Sequence, residues 1–416
     1  MNYGLSNENI VCFGGEDWWY HHPHSKYHLL KRYASNNKVL FVNSITMGLP
    51  DISNPDFFLK IRRKVRSYMR GLRRVPEGLW VMTPLTLPFY QSRVVRSINR
   101  LLLVFQLRLT MLLLGMSRPI LWIAIPSAAD LAGRLGEKAL FYQVSDKYEA
   151  NQDSALSIGV IREMDRRLKS AADIVIYSGR KLFQEAAEPH RYYLEQGVDF
   201  DHFSRLPSEA AQEIRHLLHP ILGYFGFMDY VMDTGLMEEV ARLRPAWQWV
   251  LIGLKSNFVR VAAPNVHFLG PRPYEDLPRY IAHFDVCVLP WRHQEAFTSY
   301  GSAIKVREYL ATGKPVVIAP LFEYLETPGL RIYRSTAEFI ECVEDAIAAD
   351  TPEQVAKRQN VVRECTWDAR ALELAALINL VVSGKTYSFQ PPDPKTSLRL
   401  CPVVADEATT RGRKES

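Results

Sequence analysis

Lys305 and Glu308 stand three residues apart in the run Ile304-Lys305-Val306-Arg307-Glu308-Tyr309-Leu310-Ala311-Thr312-Gly313-Lys314-Pro315-Val316-Val317, which reads as a helix feeding directly into a strand. Ser299, Gly301 and Ser302 fall where that helix should begin. The first turn of a helix has unsatisfied N–H groups and the positive end of the peptide dipole, so it suits phosphate. One turn further on, the i and i+3 spacing puts an ammonium and a carboxylate on the same face. A diphosphate could take the lysine and a ribose diol the glutamate. The alternative is an exposed Lys/Glu pair on a solvated helix, which would do little.

Other residues carry weaker signals. Gly14-Gly15 follows the opening strand and lets backbone approach a ligand closely, or makes a simple turn. Gly223-Tyr224-Phe225-Gly226 follows the first strand of the second half, on the opposite wall, and makes Gly223 and Gly226 candidates for the donor-binding side. Neither fits G-x-G-x-x-G or the P-loop, which argues against a dinucleotide dehydrogenase and an NTPase. His21, His22, His24 and His28 cluster, and His24 and His28 at i and i+4 have metal-ligand spacing. With no carboxylate or cysteine nearby, a cleft-lining role for His22 or His24, or a plain surface turn, fits better than a metal. Asp146, at the end of a first-half strand, is the best-placed carboxylate to deprotonate or position a second substrate; capping the next helix is the alternative. Asp199-Phe200-Asp201 fits a D-x-D metal pattern, but it lies between the two halves and reads as a turn or hinge. Trp18, Trp19 and Tyr20 suit stacking on sugar faces or simple packing.

The elements that must hold these residues alternate between short β-rich runs and helical patterns. Ile10–Phe13, Lys38–Val42, Leu79–Thr83, Ile120–Ile125, Ala139–Ser145 and Asp173–Ser178 form one set of strands. Ile221–Phe225, Trp247–Gly253, Val266–Leu269, Asp285–Trp291 and Lys314–Ala319 form a second. Strands that alternate with helices imply parallel sheets covered on both faces. The chain is therefore expected to be α/β, with two facing doubly wound, Rossmann-like domains and a deep cleft between them. Residues 1–205 make the first domain, 206–383 the second with a closing helix over Thr366–Ser383, and 384–416 a tail of disordered composition. Ligands belong beyond the carboxyl ends of the strands, on both walls of the cleft.

With 47% hydrophobic and 23% charged residues, the 416-residue chain has the composition of a soluble globular protein. Cys12, Cys287, Cys342, Cys365 and Cys401 have neither zinc nor disulfide-framework spacing and read as reduced core thiols. Met1–Glu8 lacks the basic and apolar regions of a secretory signal, so a cytoplasmic location is expected. The net charge of +6 is unevenly spread: residues 57–129 hold thirteen Lys or Arg and one acid, Glu77. Within this stretch Ile61, Val65, Tyr68, Met69, Leu72 and Val75 recur at helical spacing among Lys60, Arg62, Arg63, Lys64, Arg66, Arg70, Arg73 and Arg74. That is the pattern of a basic amphipathic helix at an anionic membrane surface. Nucleic acid would favour similar charge, but no recognition motif accompanies it. Leu101–Gly115 is the most apolar stretch, and Arg100, Gln106 and Arg108 break it short of a span, leaving a buried or monotopic helix.

Residues Gly223–Gly226, Trp249–Gly253, Asn265–Tyr274, Phe284–Trp291 and Lys305–Val317 together resemble the GT-B glycosyltransferases, in the branch near family 4. Weaker echoes occur at Tyr142–Asp146 and Gln196–Phe203. The resemblance implies metal-independent transfer of a sugar from a nucleoside diphosphate donor, with no cofactor. In it Glu308 holds the donor ribose, and Lys305 neutralises the diphosphate and serves catalysis. The backbone at Gly301 and Ser302, with Ser299, caps the diphosphate, and Gly14 and Gly15 approach it from the other domain. Asp146, His22 and His24 face the acceptor. Family members with a two-glutamate signature have a carboxylate where this chain has Tyr300, so Glu295 is the candidate substitute. The usual Arg/Lys pair after the glycine loop is not evident, and Arg292 is the candidate supplement. The implied partners are a nucleotide-sugar, a lipid-linked saccharide and an anionic membrane surface. A catalytically silent scaffold on the same fold is the other reading.

Overall fold

A computed structural model of the protein describes residues 2–20, 23–45, 57–150, 157–209, 211–292, 296–384, 387–388 and 403–404. The first sheet contains β1 (Asn9–Phe13), β2 (Lys38–Val42), β3 (Leu72–Arg74), β4 (Trp80–Met82), β5 (Ile120–Ile123), β6 (Ala139–Val144), β7 (Ile174–Tyr177) and β8 (Arg191–Tyr193). Their order across the sheet is β3-β4-β2-β1-β5-β6-β7-β8, parallel except for the antiparallel edge strand β3. Helices α1 (Ser25–Tyr33), α2 (Phe57–Arg70), α3 (Arg93–Leu113), α4 (Ile158–Ala171) and α5 (Arg180–Glu185) connect them.

After α6 (Phe200–Ser204) comes a second, wholly parallel sheet. Its strands are β9 (Ile221–Phe225), β10 (Gln248–Ile252), β11 (Val266–Gly270), β12 (Val286–Leu289), β13 (Val316–Ile318) and β14 (Leu330–Ile332), in the order β11-β10-β9-β12-β13-β14. Helices α7 (Thr234–Leu243), α8 (Leu277–Ile281), α9 (Ala296–Tyr300), α10 (Ile304–Thr312), α11 (Thr336–Ala348), α12 (Pro352–Val362) and α13 (Trp367–Val382) accompany it.

The strand runs are nearly all apolar because both faces of each sheet are covered: all six residues of β6 are buried. Alternation then sorts them by face. Val11, Phe13, Leu40 and Val42 pack with Leu103, Leu107 and Met111 of α3. Ile10, Cys12, Val39 and Phe41 face the other way, against Leu29 and Leu30 of α1 and Leu374, Leu377 and Ile378 of α13. The closing helix therefore belongs by packing to the first domain, although in sequence it follows the second. Arg307 of α10 ties the two domains together: it is 4% exposed, donates to Gln196 O (2.9 Å) and Glu195 Oε1 (2.6 Å), and lies 3.5 Å from Glu323.

Several local expectations change. The helical pattern through Leu72 and Val75 stops at Arg70, where Gly71 with φ 55° turns the chain into β3. Val75 enters the core at 5% exposure, so it is not part of the amphipathic face. Leu101–Leu113 is the C-terminal part of α3, which is not buried all round. Strands β8 and β14, three residues each, gave too short a pattern to read. In the tail, Tyr387–Ser388 pairs antiparallel with Val403–Val404. No helix among the described residues is long and apolar enough to cross a membrane.

Candidate functional site

Among its parallel strands each sheet reverses its order once, between β1 and β5 in the first domain and between β9 and β12 in the second. Loops leaving those strands diverge and open a crevice at their carboxyl ends. In the second domain the crevice is bordered by Gly226 after β9, Trp291 and Arg292 after β12, and the start of α10.

Lys305 lies in this crevice. Its Nζ donates to the Tyr224 hydroxyl at 3.0 Å and stands 4.9 Å from the centroids of both the Tyr224 and Trp291 rings. Gly226 makes the approach possible: with φ 133°, a Cβ there would sit 2.6 Å from Lys305 Nζ and 2.8 Å from its Cε. A cation held between two aromatic faces, next to bare backbone, is positioned for an anion.

One turn on, Glu308 is 5% exposed. The Tyr274 hydroxyl donates to its Oε1 at 3.2 Å. Burial pushes the Glu308 carboxyl up to about 7; the Tyr274 hydrogen bond and the Lys305 charge pull it down, and Asp199 adds to the rise. Tyr274 itself stays protonated, burial and the Glu308 charge both pushing its hydroxyl up. A buried carboxylate with a single hydrogen-bond donor has acceptor capacity to spare, which a vicinal diol would use. The i and i+3 geometry read from the sequence is therefore present. The solvated-pair alternative fails because Glu308 is buried.

The helix start is displaced from the expected place. Ser299 lies in α9, where Lys181 Nζ donates to its Oγ at 3.3 Å, and α10 begins at Ile304 after Ala303, which provides no side-chain cap. Gly301 and Ser302 form the link between the two helices, and the Gly301 N–H is taken by Thr298 O. Arg292 is exposed at the rim. Gly223 sits within β9 and not in the loop beyond it, and a Cβ there would fall 1.9 Å from the Phe284 ring, so the glycine makes room for that ring. Gly14 likewise leaves room for Phe41, and Gly15 lies against Ile125 at the β1/β5 switch. Glu295 and His22 fall outside the described residues.

On the first-domain wall, Asp146 follows β6 and shares its surroundings with Lys26 of α1 and Glu16 of the glycine loop, whose side chains pair at 2.9 Å. Burial pushes the Asp146 carboxyl up; Lys26 opposes this and Glu16 reinforces it. His24 precedes the first turn of α1 without capping it. His28 points elsewhere, stacked on Trp367 with ring centroids 4.8 Å apart, and burial drives its pKa well down. Among the described residues no group of three or more His, Cys, Asp or Glu side chains is placed to hold a metal ion. Asp199 approaches Glu308, whereas Asp201 is exposed and pairs with Arg205, so the D-x-D pattern does not converge.

Tyr300, where a glutamate was absent from the pattern, spans the cleft. Lys147 Nζ donates to its hydroxyl at 2.8 Å, that hydroxyl donates to Glu185 (2.7 Å), and Lys147 and Lys181 lie 4.1 and 4.3 Å from its ring centroid. This brings the loop carrying Asp146 next to the turn before α10. Sequence reasoning missed Lys26 and Glu16 and the roles of Tyr224, Tyr274 and Trp291, and it read Asp199 as a hinge residue without its place beside Glu308. All are distant in sequence from the groups they serve.

Comparison with known proteins bears on the family and the fold. Residues 219–348 match the family model described as glycosyl transferases group 1. TuaH of Bacillus subtilis, which carries the name of a teichuronic acid biosynthesis glycosyltransferase, is 24% identical over 275 residues, 60% of this chain and 68% of TuaH. Sucrose-phosphate synthase from Thermosynechococcus elongatus superposes with a TM-score of 0.68 at 14% identity, covering 91% of this chain and 100% of its own. Anabaena HepE, solved in complex with UDP and glucose, gives 0.63 at 14% identity, covering 90% and 100%. The fold is GT-B, and the chain is similar to the group 1 glycosyltransferases.

Proposed function

We propose that this chain, with its group 1 glycosyltransferase domain, moves a hexosyl group from a nucleoside diphosphate sugar to a lipid-linked saccharide in envelope or exopolysaccharide assembly. The observation that carries the reading is the pair in α10: Glu308 buried under Tyr274, and Lys305 held one turn earlier between Tyr224 and Trp291. Ionised Glu308 accepts the ribose hydroxyls. Lys305 and the uncapped first turn of α10 meet the diphosphate, on which negative charge grows as the glycosidic bond breaks. Arg292 at the rim adds a second cation. Asp146, beside the Lys26–Glu16 pair, orients the acceptor hydroxyl, in a reaction that needs no metal and retains the anomeric configuration. Support for a nucleotide-sugar donor comes from the neighbours solved with UDP or UDP-2-fluoro glucose. The name of TuaH supports an envelope acceptor. The enzyme works at the cytoplasmic face of the membrane as a peripheral protein.

Calorimetry and thermal shift with UDP, GDP, ADP and dTDP test the donor site. One nucleotide should bind wild type selectively and lose at least tenfold in affinity with Glu308→Ala; equal affinity in the mutant would refute the assignment. The second reading, a silent scaffold, draws on Tyr300 replacing a carboxylate and locking the two domains together. Turnover of the matching nucleotide-sugar decides between them.

A further inference from the structure

Helix α3 buries only one of its faces. Leu103, Leu107 and Met111 go into the first-domain core, while Val94, Ile98, Leu101, Phe105, Leu109 and Leu112 are exposed by 41–75%. Their spacings of four, three, four, four and three residues keep them in a single stripe along the helix, about 27 Å long at 1.5 Å per residue. The patch does not end at the helix. Asn99 and Gln106 hydrogen-bond both the N–H and the C=O of Leu87 and Leu85, fastening that segment alongside, and Leu85, Leu87 and Phe89 are themselves 43–61% exposed. The combined face is on the order of 1,000 Å², against the few hundred of the largest apolar patch on an ordinary monomer.

The other edge of the stripe is cationic. At 100° per residue, Arg93, Arg100 and Arg108 all fall on that side. The Arg108 guanidinium donates to Arg134 O at 2.8 Å, and a groove of about 670 Å³ runs between them, lined by Arg100, Leu101, Phe105, Arg108, Leu112 and Arg134. The same domain carries a second stripe on α2, where Phe58, Ile61, Val65 and Met69 are exposed beside Arg62 and Arg66. Hydrogen bonds joining Ser67 of α2 with Asn43 and Thr83, which follow β2 and β4, anchor that helix at the carboxyl-end side of the sheet, where the cleft opens.

We infer that the α3 face, extended by Leu85–Phe89, is the surface by which the protein docks on an anionic lipid bilayer, the apolar stripe lying among the acyl chains and the arginine edge at the phosphate headgroups. This deepens the membrane part of the proposed function and moves its centre from the basic helix α2, where the sequence pointed, to α3. Charge decides the occupant. An apolar ligand face has no use for arginines along its edge, and two copies of this surface would set Arg93, Arg100 and Arg108 of each chain against one another with no acidic residue on α3 to offset them. A bilayer rich in anionic lipid satisfies the stripe and the arginines at once.

The test is co-flotation with vesicles of phosphatidylcholine alone or mixed with phosphatidylglycerol, on wild type, L101Q/F105Q/L112Q and R93Q/R100Q. Wild type should float with the mixed vesicles, less so as salt is raised. The triple variant should bind at least tenfold more weakly, with an unchanged melting temperature. The arginine variant should lose roughly fivefold per arginine on the anionic vesicles and little on the neutral ones. Wild-type-like flotation of the triple variant would overturn the proposal. So would dimerisation in sedimentation that the triple variant abolishes while vesicle affinity stays the same. Nucleotide binding measured on the same samples separates this result from the donor-site reading, since the substituted residues lie outside that site.

Discussion

Replacing Glu308 by glutamine should make the nucleotide-free protein more stable and its donor site worse. In the folded chain burial moves this carboxyl from an ordinary 4.5 to about 7. A raised carboxylate gives its full contribution to stability below the unfolded value and loses it as pH rises through the folded one. At pH 8 to 9 the folded protein therefore carries a buried charge at a cost of about 3 kcal/mol, taking 1.36 kcal/mol for each pH unit of difference. Glutamine has the shape of the protonated acid and still accepts from Tyr274, but it never ionises. Urea unfolding of both proteins across pH 4 to 9 should show near-equal stability at the acid end and a gain of about 3 kcal/mol for Glu308→Gln at the alkaline end. The nucleotide reverses the preference, because ribose hydroxyls donate to the ionised form. Wild-type affinity should fall about tenfold per pH unit below 7, and binding near pH 6 should release a proton, read by calorimetry in buffers of different ionisation enthalpy. The glutamine variant should keep only the pH dependence of the nucleotide phosphates. A Glu308→Gln variant less stable than wild type at every pH would refute the reasoning, as would a stability difference that does not change with pH.

Gly226→Ala should cost affinity more than fold. The new methyl collides with the flexible end of Lys305 and sits at a φ few side chains adopt, so a loss of about 1 to 3 kcal/mol in stability and at least tenfold in nucleotide affinity is expected from denaturation and calorimetry. Arg307→Met removes one member of a buried ion network and leaves Glu195 and Glu323 without it. A loss of about 3 to 5 kcal/mol in urea unfolding, concerning both domains at once, should follow.

Much of the architecture was written locally. Apolar runs such as Ala139–Val144 and Ile221–Phe225 state their own burial, and helices between them require parallel strands and a cleft at the carboxyl ends. Spacing alone put Lys305 and Glu308 on one helix face, because backbone geometry fixes that relation. Spacing could not separate a glycine that borders a ligand from one that yields to a neighbour. Gly223 and Gly226 belong to one short motif, yet Gly223 accommodates Phe284 and Gly226 accommodates Lys305. Nor could it place the His28 ring, whose direction depends on Trp367, more than three hundred residues away.

The sequence by itself determined the two-sheet plan, the donor helix and the accumulation of positive charge in residues 57–129, since each depends on periodicity or composition within a few dozen residues. Tertiary structure alone decided what surrounds those groups: that Glu308 is buried under Tyr274 with Asp199 close by, that Tyr300 bridges to Lys147 and Glu185, and that the open apolar stripe lies on α3. Burial, desolvation and exposure are set by which distant segments pack together, and a linear pattern records only which side chains are available to do so.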